Sequence, residues 1–506
     1  MKKLNLSNRN SLLKVNTVAS LTYQLVTLVC GFILPRLIIG YYGSSVYGLI
    51  SSLTQFLGVI ALLELGMGAV VPASLYKPLA EKDSNGISKI VVSSERFYRK
   101  IGLVMIFYVI GLTVFYPMIV DEFPFLYTAS LLVIIASSTF AQYFFGITYS
   151  LLLTADQRQY ITYIVNGSTI IINLILSFLL IKLGCSIHIV KLVSSLIFIT
   201  RPVIFATYVK RHYNINKHIT FEVEPIKQKW NGIAQHLAFA VQEKIGVVIL
   251  SLMSTLESVS IYSVYYLIVS GLRGLIYSIT SSLTSFLGNI LAKDEKDTLL
   301  RDFYRIEWSM HTITVLLFSS AAVLIVPFVR VYTAGITDAN YIVPVFPYLM
   351  CAAVACRCLQ LPYNIVVQAA GHFKETQGSA ILEPVIDIII TIALIGKMGL
   401  NGVALGMLVA MIYRMLYLSI YLTHYILQTS KHQLLKRFFT DLVLTASIVG
   451  FCSMIPTAST TYLSWGVVAV EVFLVAIVAT LIVNFIFYRS LTVSFVKTIL
   501  RKARVN

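Results

Sequence analysis

Five basic side chains fall inside long apolar runs of this sequence: Arg201, Lys244, Arg273, Arg357 and Arg414. A guanidinium placed in hydrocarbon costs about 2.5–3.5 kcal/mol on insertion scales, so each must meet an acid, water or an anionic ligand. Arg273 is the most informative. At roughly 100° per residue, Tyr262, Tyr266, Ser270, Arg273, Tyr277, Ser281 and Thr284 share one face of a helix, and the other faces are mostly Leu, Ile and Val. A guanidinium on a stripe of tyrosines and hydroxyls suits an anionic group, because its fork of donors matches phosphate bidentately. Pairing with a carboxylate such as Glu243 would answer the same cost.

Acids fall in the same runs. Glu383 and Asp387 are one helical turn apart with Pro384 between them, and Thr376, Ser379 and Thr391 lie on their stripe. Two adjacent carboxylates in a low-dielectric site fit a proton or Na⁺ site, or a counter-charge for Arg357 or Arg414. The run GIAQHLAFAVQEKIGVV carries Gln235, His236, Gln242, Glu243 and Lys244. His236 and Glu243 are seven apart and share a face, which fits a proton-carrying pair or a packing pair. Glu64 stands in the glycine- and proline-interrupted stretch LLELGMGAVVP. There is no nucleophile–base constellation, no HExxH and no GxxxxGK[ST], so neither hydrolytic chemistry nor ATP hydrolysis is expected. The six cysteines have neither disulfide-framework nor metal spacing. We expect a chain that is not an enzyme and holds no cofactor, with H⁺ or Na⁺ as the coupling ion.

These residues need membrane helices to position them. Of 506 residues, 58% are hydrophobic and 12% charged, and mean hydropathy is +0.83. About 20 apolar residues span a bilayer. The sequence reads as an all-α polytopic membrane protein with fourteen spans: 15–39, 47–76, 101–120, 126–153, 160–183, 187–209, 231–253, 259–292, 308–333, 342–370, 378–396, 400–423, 439–456 and 464–487. The net charge of +17 does not imply nucleic acid. Basic residues concentrate in alternate connections, including Lys77–Lys100, Lys210–Lys229, Lys293–Arg305, Lys431–Arg437 and the tail, which places both termini in the cytoplasm. External loops are too short for a catalytic domain.

Landmarks recur in order. IKLG with Arg201 downstream matches GKMG with Arg414 downstream; TADQRQYITY matches QAAGHFKETQ; PLAEKD matches ILAKDEKD. Spans 1–6 and 7–12 therefore read as two parallel six-helix halves around a central cavity. The expected organisation is an N-lobe at 1–209, a cytoplasmic linker at 210–230, a C-lobe at 231–424, and two extra helices with a basic tail at 425–506.

The stretch 34–83, LPRLIIGYYGSSVYGLISSLTQFLGVIALLELGMGAVVPASLYKPLAEKD, resembles the Wzx-type polysaccharide flippases of the MOP (multidrug/oligosaccharidyl-lipid/polysaccharide) superfamily. Arg36 before a Gly and a YG, the Glu64-Leu65-Gly66 acid and the polar loop that follows carry the likeness. The plan of twelve helices in two halves plus two more extends it along the chain. The resemblance implies a MATE-like fold with a cationic cavity. It also implies movement of an undecaprenyl-pyrophosphate-linked oligosaccharide from the cytoplasmic to the outer leaflet of the bacterial inner membrane. That transport would be ion-driven, by alternating access, for O-antigen, capsule or exopolysaccharide synthesis alongside the polymerase machinery. Arg36 and Glu64 carry over from the motif; Lys244 and Arg273 match in kind. The expected substrate contacts are Arg36, Lys244, Arg273, Arg357, Arg414, Tyr266 and Tyr277. The expected coupling residues are Glu64, His236, Glu243, Glu383 and Asp387. A lipid II flippase or a multidrug antiporter of the same superfamily is the alternative, and a membrane polysaccharide polymerase a more distant one.

Overall fold

A computed structural model describes residues 9–64, 66–226, 233–292, 296–456 and 461–503. Every regular element among them is helical. The chain divides into two compact units, Met1–Ser260 and Ile261–Asn506.

The first unit contains α1 (Arg9–Tyr42), α2 (Ser44–Gly58), α3 (Met67–Glu81), α4 (Ser84–Ile119), α5 (Phe125–Ala141), α6 (Ile147–Ala155), α7 (Gln159–Lys182), α8 (Ile187–His212) and α9 (Ile233–Met253). Asp83 starts α4 by accepting from the Asn85 N–H at 3.1 Å, so this helix begins 17 residues before the expected apolar span. Span 2 is broken. After α2 the chain tightens into a 3₁₀ turn, Val59–Glu64, and Gly66 adopts a left-handed conformation (φ 77°) before α3. Only glycine takes that angle without strain, so the helical phase restarts at α3.

The second unit contains most of α10 (Leu256–Ala292), with α11 (Lys296–Tyr332), α12 (Phe346–Leu359), α13 (Leu361–Ala369), α14 (Phe373–Met398), α15 (Leu400–Tyr421), α16 (Lys431–Cys452), α17 (Tyr462–Phe487) and α18 (Arg489–Ala503). α10 runs unbroken for 37 residues, and α14 passes through Pro384 without interruption. The tenth expected span divides at Gln360 into α12 and α13; the fourth divides at a π-turn, Gln142–Gly146, between α5 and α6. The two landmark stretches TADQRQYITY and QAAGHFKETQ thus each follow a broken helix.

Twelve helices among the described residues are long and apolar enough to cross a membrane. At the two other expected spans the chain forms α9 and α16, helices of 21 and 22 residues. Both carry charge within their length: Glu243 and Lys244 in one, Lys436, Arg437 and Asp441 in the other. Large apolar side chains project outward from α17, among them Val467, Val470, Leu474, Val478, Ile482 and Ile486. In water such a surface would aggregate; in a bilayer it is the lipid face, and the backbone polar groups are satisfied within each helix.

α14 and α15 lie unusually close. Gly402 and Gly406 repeat at a four-residue interval on α15, and a Cβ at Gly402 would sit 2.8 Å from the backbone carbon of Leu394. A Cβ at Gly406 would press on the Thr391 hydroxyl and lie 2.9 Å from Asp387 Oδ1. Small residues at this interval let membrane helices approach backbone to backbone. We predict that Gly406→Val costs roughly 1–3 kcal/mol by forcing the pair apart. Thermal unfolding of the purified protein in detergent measures this, and an unchanged midpoint would refute the close-packing role.

Candidate functional site

In the second unit the stripe expected on α10 forms. Arg273 is half-buried, and its guanidinium carbon lies 5.8 Å from the ring centroids of both Tyr266 and Tyr277, one turn or two away on the same helix. Tyr262 stacks on Tyr266 at 5.7 Å. The aromatic faces supply a negative electrostatic surface to the cation. Ser281 and Thr284, the last members of the stripe, have side chains outside the described residues.

Arg273 opens onto a deeper cluster. Arg357 on α12 is 4% exposed and engages the Tyr277 hydroxyl, and its Nη1 lies 3.9 Å from Glu383 Oε1 on α14. Arg414 on α15 is 5% exposed, and its Nε lies 3.6 Å from Glu383 Oε2. Arg414 also donates to the Ser379 hydroxyl and, at 3.3 Å, to the Thr376 carbonyl. One carboxylate therefore stands between two guanidiniums, on the polar stripe that the spacing of α14 anticipated. Asp387, one turn on, accepts from Thr391 at 3.0 Å beneath Gly406. Of the two carboxylates, Glu383 is the counter-charge, while Asp387 sits in a hydroxyl-lined recess.

The first unit holds the other expected residues. Glu64 ends the 3₁₀ turn and accepts from the Tyr143 hydroxyl at 2.6 Å; the buried Tyr98 is close enough to feel its charge. Arg36 is half-buried and folds along its own helix toward Gly40, whose absent Cβ would be 3.1 Å from its Nη1. Lys244 lies over Gly58 of α2, its Nζ 2.7 Å from where a Cβ would stand. Glu243, its sequence neighbour, lies near enough to favour its charge. His236 falls within α9, but its side chain lies outside the described residues, so the expected pair with Glu243 is not described. Arg201 donates to Thr169 at 2.7 Å and caps the Phe198 ring at 4.3 Å, an internal packing role within its unit.

Sequence reasoning missed a second charged cluster in unit 2. Arg437 was counted among the cytoplasmic loop charges, yet it is 2% exposed and forms an ion pair with Asp441 at 3.0 Å. His311 is fully buried, with Nδ1 2.6 Å from Asp441 Oδ2. These residues lie near the start of α16 and in the first half of α11, whose helices extend beyond the apolar windows. The i, i+4 spacing of Arg437 and Asp441 was the available signal.

No protein-family model matches the sequence, and no curated protein matches it. Solved structures do. The lipid II flippase MurJ in an inward closed conformation aligns with a TM-score of 0.70 over 94% of this chain and 99% of its own, at 15% identity. The chain has the MurJ/MATE fold. An inward-facing multidrug resistance MATE family transporter of the MOP superfamily aligns at 0.64 over 80% of this chain and 95% of its own, also at 15% identity. The eukaryotic MATE transporter AtDTX14 follows at 0.54 and 14% identity, covering 82% and 96%. The fourteen-helix expectation thus meets a known transporter fold. At these identities the likeness fixes the path of the chain and leaves the side chains of the site to be read on their own chemistry.

Removing Glu383 leaves two buried guanidiniums without their shared anion. Breaking a buried pair costs about 3–5 kcal/mol. Glu383→Ala is expected to lower the thermal midpoint more than Glu64→Ala, because Glu64 has a neutral tyrosine rather than cations as its bonding partner. Paired melting curves of the two variants check the order, and the reverse order would refute it.

Proposed function

We propose that this chain is a flippase for a lipid-linked oligosaccharide pyrophosphate, working in the bacterial cytoplasmic membrane with both termini in the cytoplasm. The observation that carries the reading is the charge balance around Arg273. Behind it, Arg357 and Arg414 both approach Glu383, and the face that begins at Arg273 presents a guanidinium bordered by tyrosines. A pyrophosphate offers two anionic groups to such a face. Guanidiniums bind these bidentately, and tyrosine edges suit the sugar hydroxyls beyond. The polyprenyl tail stays in the bilayer, where its burial is already favourable.

Of the two kinds of transporter with this fold, this charge balance favours the flippase. A site for cationic drugs would present acid at its half-buried face, and here that face presents Arg273. Lipid II carries the same lipid–pyrophosphate chemistry, so the lipid II flippase remains the second reading, supported by the MurJ alignment. Surface glycan repeat units are favoured by the resemblance of residues 34–83. The coupling ion in this reading is H⁺ or Na⁺, and the polymerase that extends the glycan is the partner downstream.

Arg273→Ala is expected to abolish export of the glycan while the protein still reaches the membrane at normal level, and Arg273→Lys to restore only part of it. Surface polysaccharide in a deletion strain complemented with each variant, with immunoblotting of membranes, is the measurement. Normal export by Arg273→Ala would refute the role. Complementation of a lipid II flippase deletion instead would select the second reading.

A further inference from the structure

The missed cluster of unit 2 does something the expected site does not: its charges do not cancel. Arg437 is always protonated. It pairs with Asp441 at 3.0 Å, and those two charges balance. Glu307 and His311 remain, both buried at 7% and 0% exposure. Glu307 accepts from Tyr363 of α13 at 2.7 Å. His311 faces Asp441 through Nδ1, and its Nε2 has no hydrogen-bond partner among the described residues. With Glu307 ionised and His311 neutral the cluster carries one net negative charge out of water. One proton, held on either group, makes it neutral, and an uncompensated charge at this depth is the costly state.

Among the described residues, the other titratable groups around the pair are tyrosines and a cysteine, together with the Arg437–Asp441 ion pair. The groups facing the pair are Tyr304 and Glu307 from α11, Tyr363 from α13, Arg437 and Asp441 from α16, Cys356 from α12 and Tyr488 after α17. The rest of the wall is apolar or amide: the Tyr363 and Phe438 rings stand 5.7 and 6.2 Å from the imidazole, and the Trp308 indole donates to Asn484 at 2.7 Å. A polar route leads out. The Tyr488 ring lies 5.2 Å from the Arg437 guanidinium carbon and also lines an open cavity of about 600 Å³ with Lys436, Arg489 and Ser490.

We propose that Glu307, His311, Arg437 and Asp441 form a binding site for one exchangeable proton, reached from the Lys436–Arg489 cavity past Tyr488. A neutral His311 held by Asp441 through Nδ1–H presents the Nε2 lone pair as the acceptor, and the imidazolium that results is paired by the same carboxylate. The site also ties α16 and α17 to α11. That this proton is the coupling ion of transport rests on the flippase reading; the site itself does not.

Trp308 is a built-in reporter, since it directly follows Glu307 in α11, its carbonyl accepts from Arg437 at 3.5 Å and its indole donates to Asn484 at 2.7 Å. The full chain carrying Trp230→Phe and Trp465→Phe, purified in detergent without glycolipid, is titrated between about pH 5 and 8. The expected result is a single one-proton transition in Trp308 emission. It is lost in Glu307→Gln, where Arg437 and Asp441 already balance and the imidazole stays neutral, and it moves to a different pH in His311→Gln, where Glu307 alone must hold the proton. Both variants are judged only if monodisperse on gel filtration, and either alone suffices. A flat titration of the parent, or a transition unchanged in the folded variant, overturns the proposal. So does a transition that shifts when Na⁺ replaces choline, which would assign the site to a metal cation. None of these outcomes depends on Arg273 or on glycan export.

Discussion

A charge in hydrocarbon must be paired, hydrated or given up, and the arrangement of this protein's polar residues follows from that constraint. Water cannot reach the interior of packed membrane helices, so a guanidinium there draws carboxylates, hydroxyls and aromatic faces around itself. Glu383 lies between Arg357 and Arg414 for this reason. The helices that bear them are then held in register. α14 and α15 approach through Gly402 and Gly406, which brings Ser379 and Thr376 within reach of Arg414. Close backbone packing and charge pairing are two sides of one contact.

The two charged clusters of the second unit differ in how they are closed. Around Glu383 two guanidiniums converge, and Tyr277 links Arg357 of that cluster to the half-buried Arg273. That outer guanidinium is suited to an anion that arrives and leaves. Around His311 the acids are in excess by one proton's worth, and the histidine is fully enclosed. That arrangement is suited to a small cation. A transporter that moves a bulky anion against its leaflet preference needs both kinds of site, and a bundle of this fold can house them on different helices.

Much of this was legible in sequence. The stripe of α10 appeared on a helical wheel because the residues of one continuous helix keep their angular order whatever surrounds them. The α14 stripe survived Pro384 for the same reason: the missing N–H is a local loss, and the helix continues. The setting of Glu64 was not legible, because the 3₁₀ turn Val59–Glu64 breaks the period of α2 before it. Arg437 was misread as a loop charge. Hydropathy windows find apolar averages, and α16 begins eight residues before its apolar stretch, so a buried cation near its start looked external.

By itself, the sequence determined that the chain is a multi-span helical membrane protein and which faces of its helices are polar. Those are properties of single helices, set by composition and by a period of 3.6 residues. Only the tertiary structure decided the partners. Glu383 chose both arginines over Asp387, Asp441 bridged His311 and Arg437, and Glu64 took a tyrosine. Residues dozens of positions apart are brought within 4 Å by helix packing alone, and helix packing depends on small residues and side-chain shapes summed over whole interfaces, which no local pattern records.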